Sequence, residues 1–397
     1  MQRRAAIASM AFGGVLGTRA AAAQTAAPAP LEETLQPHLA RHGMPALAAA
    51  VMRGGRLVAA GATGMRRAGA EIPVTRQDRF HIGSCTKAMT ALLAGMLVEE
   101  GRIGWETTIG ASFPDLAQGM DPGLAGVALD QLLSHSGGIP SDTDEIGGLY
   151  IGAYAQDGLN LDGMRRWVLD QWRTHPLAAA PGTRFAYANL GYLIAGAMLE
   201  QAGGATWEEL VSIRVFDALG LATAGIGPQT RMGRVDAPLG HATRPDGSLM
   251  PMLAGPDGDA PPVLGPAGTV HLSILDFAAW AGWHAGSGRR GPSLVRPETL
   301  ARLHARVMET PPRPGAAPGT PAGGGFYGRG WSFQRLSYAG GEVMTHTGSN
   351  GMNLAMILVQ PERDYALVLA TNRGGAEAKA ALHALAETLY RAHGPAG

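Results

Sequence analysis

The stretch that decides the reading is Phe80-His81-Ile82-Gly83-Ser84-Cys85-Thr86-Lys87, running directly into Ala88-Met89-Thr90-Ala91-Leu92-Leu93-Ala94-Gly95-Met96-Leu97. Met89, Leu92, Leu93, Met96 and Leu97 recur at helical spacing, so the segment predicts a helix that starts near Ser84 and ends near Gly101. Ser84 then stands at the N-terminus, with Lys87 three residues on and on the same face. A hydroxyl and an amine one turn apart are the parts of an activated nucleophile, provided burial lowers the lysine pKa enough for it to take a proton. The pattern alone decides little, because a chain of this length contains roughly one Ser-x-x-Lys by chance. The alternative is a serine N-cap beside a lysine that snorkels to solvent.

Composition sharpens the choice. Of the 32 basic residues only Lys87 and Lys379 are lysines, and the rest are arginines, which cannot give up a proton at ordinary pH. Lys379 lies in an alanine-rich run and reads as a solvated helix residue, whereas Lys87 is flanked by apolar side chains. At 397 residues, with 46% hydrophobic and 16% charged, the chain is long and apolar enough for one large domain or two ordinary ones. Its formal net charge of zero gives no reason to expect nucleic acid or an anionic membrane as partner. The single cysteine, Cys85, excludes an internal disulfide. As the immediate neighbour of Ser84 it does not share its helix face, and it reads as a small core residue. No His-x-x-x-His pair encloses a glutamate and no cysteines cluster, so no metal or other cofactor is expected.

Residues 1–23 have the build of a signal peptide: Arg3-Arg4, an apolar small-residue run, and an Ala-x-Ala site ending at Ala23. The apolar run is too short to span a bilayer, so an exported, periplasmic or secreted protein with no membrane span in its mature chain is expected. Residues 24–30 read as a linker.

Beyond the linker, strands come first and last with helices between. A helix is expected over 31–41, and a β-hairpin over 46–51 and 57–60 around Gly54-Gly55. Helical spacing dominates 127–133, 164–172 and 190–201. Strands return at 331–333, 343–347, 354–359 and 365–369, and an amphipathic helix closes the chain over 376–393. The pattern predicts an α+β fold: an antiparallel sheet built from both chain ends, flanked by helices, with a mainly helical lobe inserted. In numbers, one domain covers 31–397, with an α/β lobe from 31–105 and 255–397 and a helical lobe from 106–254. Residues 311–325, dense in Pro, Gly and Ala, read as a loop or mobile flap.

Two further segments hold candidate chemistry. Tyr187-Ala188-Asn189 opens a helix, and a tyrosine hydroxyl can relay a proton while an asparagine amide can bind a substrate amide. Thr345-His346-Thr347-Gly348-Ser349 ends a strand in a glycine-rich turn, with a titratable histidine on it. Taken singly, each also reads as structure: a core tyrosine beside an N-cap asparagine, and a hydrogen-bonded histidine. His81 and His135 near Ser84 invite a Ser-His-Asp reading, but no Gly-x-Ser-x-Gly elbow occurs.

Taken together, the order Ser-x-x-Lys, Tyr-x-Asn, then His-Thr-Gly before a C-terminal helix resembles the serine β-lactamase and penicillin-binding-protein superfamily. It is most similar to the class C β-lactamase branch, which also holds D-stereospecific peptidases and esterases. Leu132-Leu133-Ser134-His135-Ser136-Gly137-Gly138-Ile139-Pro140, Pro266-Ala267-Gly268 and Tyr327-Gly328-Arg329-Gly330-Trp331 are similar to further landmarks of that family. The resemblance implies that Ser84 attacks a carbonyl and becomes acylated, Lys87 readies it for deprotonation, and Tyr187 passes the proton to the leaving group. It implies that Asn189 binds the acyl amide, and that His346, Thr347, Gly348 and Ser349 form the substrate-side strand. The backbone N–H groups of Ser84 and Ser349 would then be the oxyanion hole. His346 departs from the family pattern, which carries a lysine there; an unperturbed histidine is mostly neutral at pH 7 and gives a substrate carboxylate no permanent partner. A small molecule or peptide is the implied substrate. Three readings stay open: a hydrolase of amide, peptide or β-lactam bonds, a carboxylesterase, and a protein that binds wall peptides without turnover.

Overall fold

The structure, a computed structural model, describes residues 27–255, 257–312 and 324–395. The expected signal peptide, the first part of the linker and most of the 311–325 loop lie outside the described residues. Among those described, nine strands form one sheet: β1 (Ala29–Pro30), β2 (Ala46–Arg53), β3 (Arg56–Gly64), β4 (Met308–Glu309), β5 (Phe326–Tyr327), β6 (Ser332–Leu336), β7 (Gly341–Ser349), β8 (Leu354–Gln360) and β9 (Tyr365–Thr371). Their order is β1-β3-β2-β9-β8-β7-β6-β5-β4. The two chain ends meet where β2 pairs with β9, from Arg53 opposite Tyr365 to Leu47 opposite Thr371. One detail departs from the expected antiparallel sheet. The last two residues of the expected linker form β1, which pairs parallel with Ala59 and Ala60.

Local chemistry explains the elements at this junction. Arg53 pairs with Arg56 across a two-residue turn, and Gly54 and Gly55 both have positive φ. That is the turn geometry whose twist suits a hairpin, and only residues tolerant of positive φ take it cheaply. The β8 and β9 strands are buried along their whole length, which is why they read as continuous apolar runs and not as alternating ones. Leu354, Met356 and Leu358 face one side, with Leu382, Leu385 and Leu389 of the C-terminal helix and Leu35 near the N-terminus in the same core. Ala355, Ile357 and Val359 face the other, together with Phe277 and Trp280. Each fully buried leucine contributes about 1.5–3 kcal/mol, so two such layers hold the sheet between helices.

Five helices matter here: α1 (Glu32–His42), α2 (Lys87–Glu99), α3 (Asn189–Gly203), α4 (Ile274–Ala285) and α5 (Gly375–His393). The α1 and α5 helices cover one face of the sheet, and α4 with α2 and its neighbours the other. Residues 106–254 are predominantly helical but hold three short strands that the sequence did not announce. Gly225–Ile226 joins Val270–Ser273, which in turn pairs with Arg79–His81 just before the Ser84 turn. Gly240–Thr243 and Leu249–Met252 form a hairpin. Strands this short carry too little alternation to be legible, and tertiary pairing creates them.

Candidate active site

The chain enters the site from the Arg79–His81 strand and turns at Gly83, whose φ is +50°. The expected single helix is two pieces: a 3-10 turn over Gly83–Thr86, then α2 from Lys87. In a 3-10 turn, side chains three apart eclipse one another instead of fanning round the axis. Ser84 and Lys87 are therefore stacked, and Lys87 Nζ lies 3.1 Å from Ser84 Oγ. The helix is buried on every side, from Lys87 to Leu97, because it runs through the middle of the main core.

Lys87 is fully buried. Its Nζ also contacts Asn189 Oδ1 at 2.7 Å and Ala267 O at 2.7 Å. Burial pulls its pKa down to about 7, against the opposing influence of Asp142 and Cys85. A neutral amine has two N–H bonds and one lone pair. Asn189 Oδ1 and Ala267 O can only accept, so they engage the two N–H bonds and leave the lone pair for the Ser84 hydroxyl. The site thus fits lysine as a proton acceptor, and the snorkelling alternative is excluded by its burial.

The carbonyl of Ala267 is held from behind. Thr90 Oγ1 donates to Pro266 O at 2.7 Å and accepts from Trp207 Nε1 at 3.1 Å. Buried Arg165 donates to Val263 O at 3.1 Å and pairs with Glu200 and Glu208. A helical lobe and a loop are in this way fixed against the lysine.

Asn189 is the first residue of α3 and not its cap. Its side chain has two tasks already: Oδ1 takes a hydrogen bond from Lys87, and Nδ2 donates to Asp142 Oδ2 at 2.7 Å. Asp142 Oδ1 accepts from the Tyr150 hydroxyl at 3.1 Å. This exposed carboxylate was missed by sequence reasoning, since Ser141-Asp142-Thr143-Asp144 reads as a helix N-cap, a role that Thr143 fills.

Burial pushes the Tyr187 hydroxyl well above the usual tyrosine range, so the phenol stays neutral in the site. Its ring lies 4.8 Å from Lys87 Nζ and 4.2 Å from the His135 ring. His135 is buried among Tyr187, Tyr192, Phe185 and Tyr327, and its Nδ1 accepts from Ala188 N–H at 3.2 Å. Burial keeps it neutral. His81 Nδ1 accepts from Gly83 N–H at 3.1 Å. Both histidines brace backbone, so neither forms a Ser-His-Asp arrangement with Ser84.

The β7 strand closes the other side. A methyl group at Gly348 would lie 2.5 Å from Ser84 N, and one at Gly83 would lie 2.2 Å from Ser349 N. Contact this close requires glycine on both chains. It brings the backbone nitrogens of Ser84 and Ser349, the expected oxyanion hole, to the two sides of one glycine contact. Ser349 offers only its backbone there, because its Oγ donates to Asn353 O at 2.6 Å and accepts from Gly351 N–H at 2.9 Å. His346 is 5% exposed, with Nε2 3.1 Å from the Tyr327 hydroxyl and Nδ1 3.0 Å from Thr347 O. Alternation along the strand puts the Thr347 side chain on the opposite face from His346. Both residues nevertheless border one groove, together with Ser332, Gln334, Tyr338 and His383. Cys85 is buried, its Sγ 3.6 Å from His346 O, and burial raises its thiol far above the range of a reactive cysteine. It is a core residue.

The model of the family described as Beta-lactamase matches residues 31–390. Penicillin-binding protein 4 of Amycolatopsis lactamdurans is 26% identical over 342 residues, covering 84% of this chain and 82% of that protein. The unguisins hydrolase of Aspergillus violaceofuscus is 28% identical over 334 residues, covering 74% of this chain and 52% of that protein. The chain thus spans about half the length of that hydrolase. Among solved structures, the octameric penicillin-binding protein homologue from Pyrococcus abyssi superposes with a TM-score of 0.71 at 25% identity, covering 90% of this chain and 76% of that one.

Proposed function

We propose that this chain, which belongs to the beta-lactamase family of serine hydrolases, is an exported hydrolase that is acylated on Ser84 and cleaves amide or peptide bonds. The single observation that supports this most is the buried Lys87, with a pKa of about 7 and two carbonyl-type acceptors that leave its lone pair for Ser84. As Ser84 Oγ attacks the substrate carbonyl carbon, its proton passes to Lys87 Nζ. The carbonyl oxygen becomes an anion between the N–H groups of Ser84 and Ser349, the place where such charge is best stabilised. When the tetrahedral intermediate collapses, the bond to the leaving group breaks and Tyr187 passes a proton from Lys87 to that group. Water then attacks the acyl carbon as Tyr187 relays its proton to Lys87; the bond between Ser84 Oγ and the acyl carbon breaks, Lys87 returns that proton to Ser84 Oγ, and the acid leaves.

His346 shapes the substrate range. Its two ring nitrogens hydrogen-bond Tyr327 and Thr347 O within a buried strand, and it stands where a lysine would carry a permanent charge. That favours neutral esters and amides over the carboxylate of a β-lactam, and it makes a carboxylesterase the second reading. The test is steady-state kinetics with a neutral aryl ester, a D-amino-acid amide and a penicillin, with intact-mass spectra followed over time. Turnover of the amide or ester through a transient adduct is expected, with penicillin forming a longer-lived one. A permanent adduct with all three would mean a binding protein, and no adduct with any would remove the acyl-enzyme reading.

Export rests on the Arg3-Arg4 start, the short apolar run and the Ala-x-Ala site at Ala23. N-terminal sequencing of protein recovered outside the cytoplasm is expected to begin at Gln24. An uncleaved chain confined to the cytoplasm would contradict it.

A further inference from the structure

We propose that Asp259 and His81 form a positioning pair that sets the gap of the oxyanion hole, on the reading that Ser84 is the nucleophile. Neither residue touches the reacting atoms. His81 is fully buried, and its Nδ1 accepts from Gly83 N–H at 3.1 Å, in the residue immediately before Ser84. An accepting Nδ1 requires that the proton sit on Nε2. Nε2 lies 3.0 Å from Asp259 Oδ1, an ion-pair contact rather than an in-line hydrogen bond. The same Oδ1 accepts from Ala260 N–H at 2.7 Å and from Asn350 Nδ2 at 2.8 Å. Asn350 Oδ1 in turn accepts from Met352 N–H at 3.2 Å, Asn353 N–H at 3.0 Å and Asn353 Nδ2 at 3.1 Å, and so ties together the turn that follows Ser349.

One carboxylate oxygen therefore links the two chains that carry the hole. Through His81 it holds the Gly83-Ser84 turn, and through Asn350 it holds the turn after Ser349. The carboxylate beside Nε2 also favours hydrogen on that nitrogen. Without that preference, a proton on Nδ1 would meet Gly83 N–H donor to donor. Nucleophile-side and strand-side N–H groups must both reach the developing oxyanion at hydrogen-bond distance. A misplacement near 1 Å is enough to lose about 10²-fold in rate.

The experiment compares wild type, Asp259→Ala and Asp259→Asn with a neutral ester and with an aryl boronic acid, which forms a tetrahedral adduct on a nucleophilic serine. Asp259→Ala is expected to lower kcat by about 10²-fold with KM changed by less than about threefold. Boronate affinity should fall in the same proportion, because a transition-state mimic follows transition-state binding. Asp259→Asn keeps an acceptor oxygen in place and should retain activity within about fivefold, since only charge is lost. A folded Asp259→Ala with wild-type kcat would overturn the proposal, as would a loss of kcat that left boronate affinity unchanged. Should Asp259→Ala fail to fold, Asn350→Asp severs the same link by setting oxygen against oxygen. The same split is expected from it, and wild-type kcat there would equally overturn the proposal. Wild type that fails to bind the boronate at all would instead contradict Ser84 as nucleophile.

Discussion

Ser84→Ala is expected to abolish turnover and acylation while the protein stays folded. Ser84 is half-buried, and its side chain does not cap the turn that carries it. Its loss removes one contact to Lys87, which keeps Asn189 and Ala267 as partners. A hydrogen bond of this kind contributes about 0.5–1.5 kcal/mol, so a small fall in melting temperature is expected. The chemistry, by contrast, has no substitute. The adjacent Cys85 is buried, and its thiol is held protonated. A fall of at least about 10⁴-fold in kcat/KM for a neutral ester is expected, the scale on which nucleophile deletions act. Residual activity above about 1%, with an adduct still forming, would place the nucleophile elsewhere.

Lys87→Arg should be nearly as damaging although it keeps the positive charge. Arginine stays protonated at every accessible pH, so it cannot take the Ser84 proton. General-base contributions run to about 10²–10⁴, and a loss of at least about 10² is expected. The pH profile of wild type checks the same point. The active form is neutral Lys87, with a pKa near 7, so kcat/KM for a neutral ester should be low at pH 6 and rise through pH 7 toward a plateau above 8. A profile flat from pH 6 to 8, or an Lys87→Arg enzyme retaining a tenth of wild-type activity, would mean that Lys87 is not the acceptor.

The parts of this protein that were legible in its sequence are those fixed by local pattern. Long apolar runs around Pro361-Glu362-Arg363-Asp364 announced β8 and β9, and the Gly54-Gly55 pair announced the β2–β3 turn. Ser84, Lys87, Tyr187 and Asn189 stood out by residue type and order, and the fold brings all four together. What stayed hidden depends on contacts between distant segments. The 3-10 turn that leads from Ser84 into Lys87 packs its Gly83 against β7, some 260 positions later in the chain. Asn189 reads as a substrate ligand, yet both its polar atoms are engaged by Lys87 and Asp142. Asp142 and Asp259 sit in loops whose sequences describe caps and turns only.

The account turns on Ser84 being the atom that attacks. Acid quench during turnover of a neutral aryl ester, followed by intact-mass spectrometry and peptide mapping, tests this most directly. One acyl group per chain is expected on the peptide that carries Ser84, absent from Ser84→Ala and building up more slowly at pH 6 than at pH 8. An acyl group mapped to any other residue, or an adduct that persists unchanged in Ser84→Ala, would contradict it.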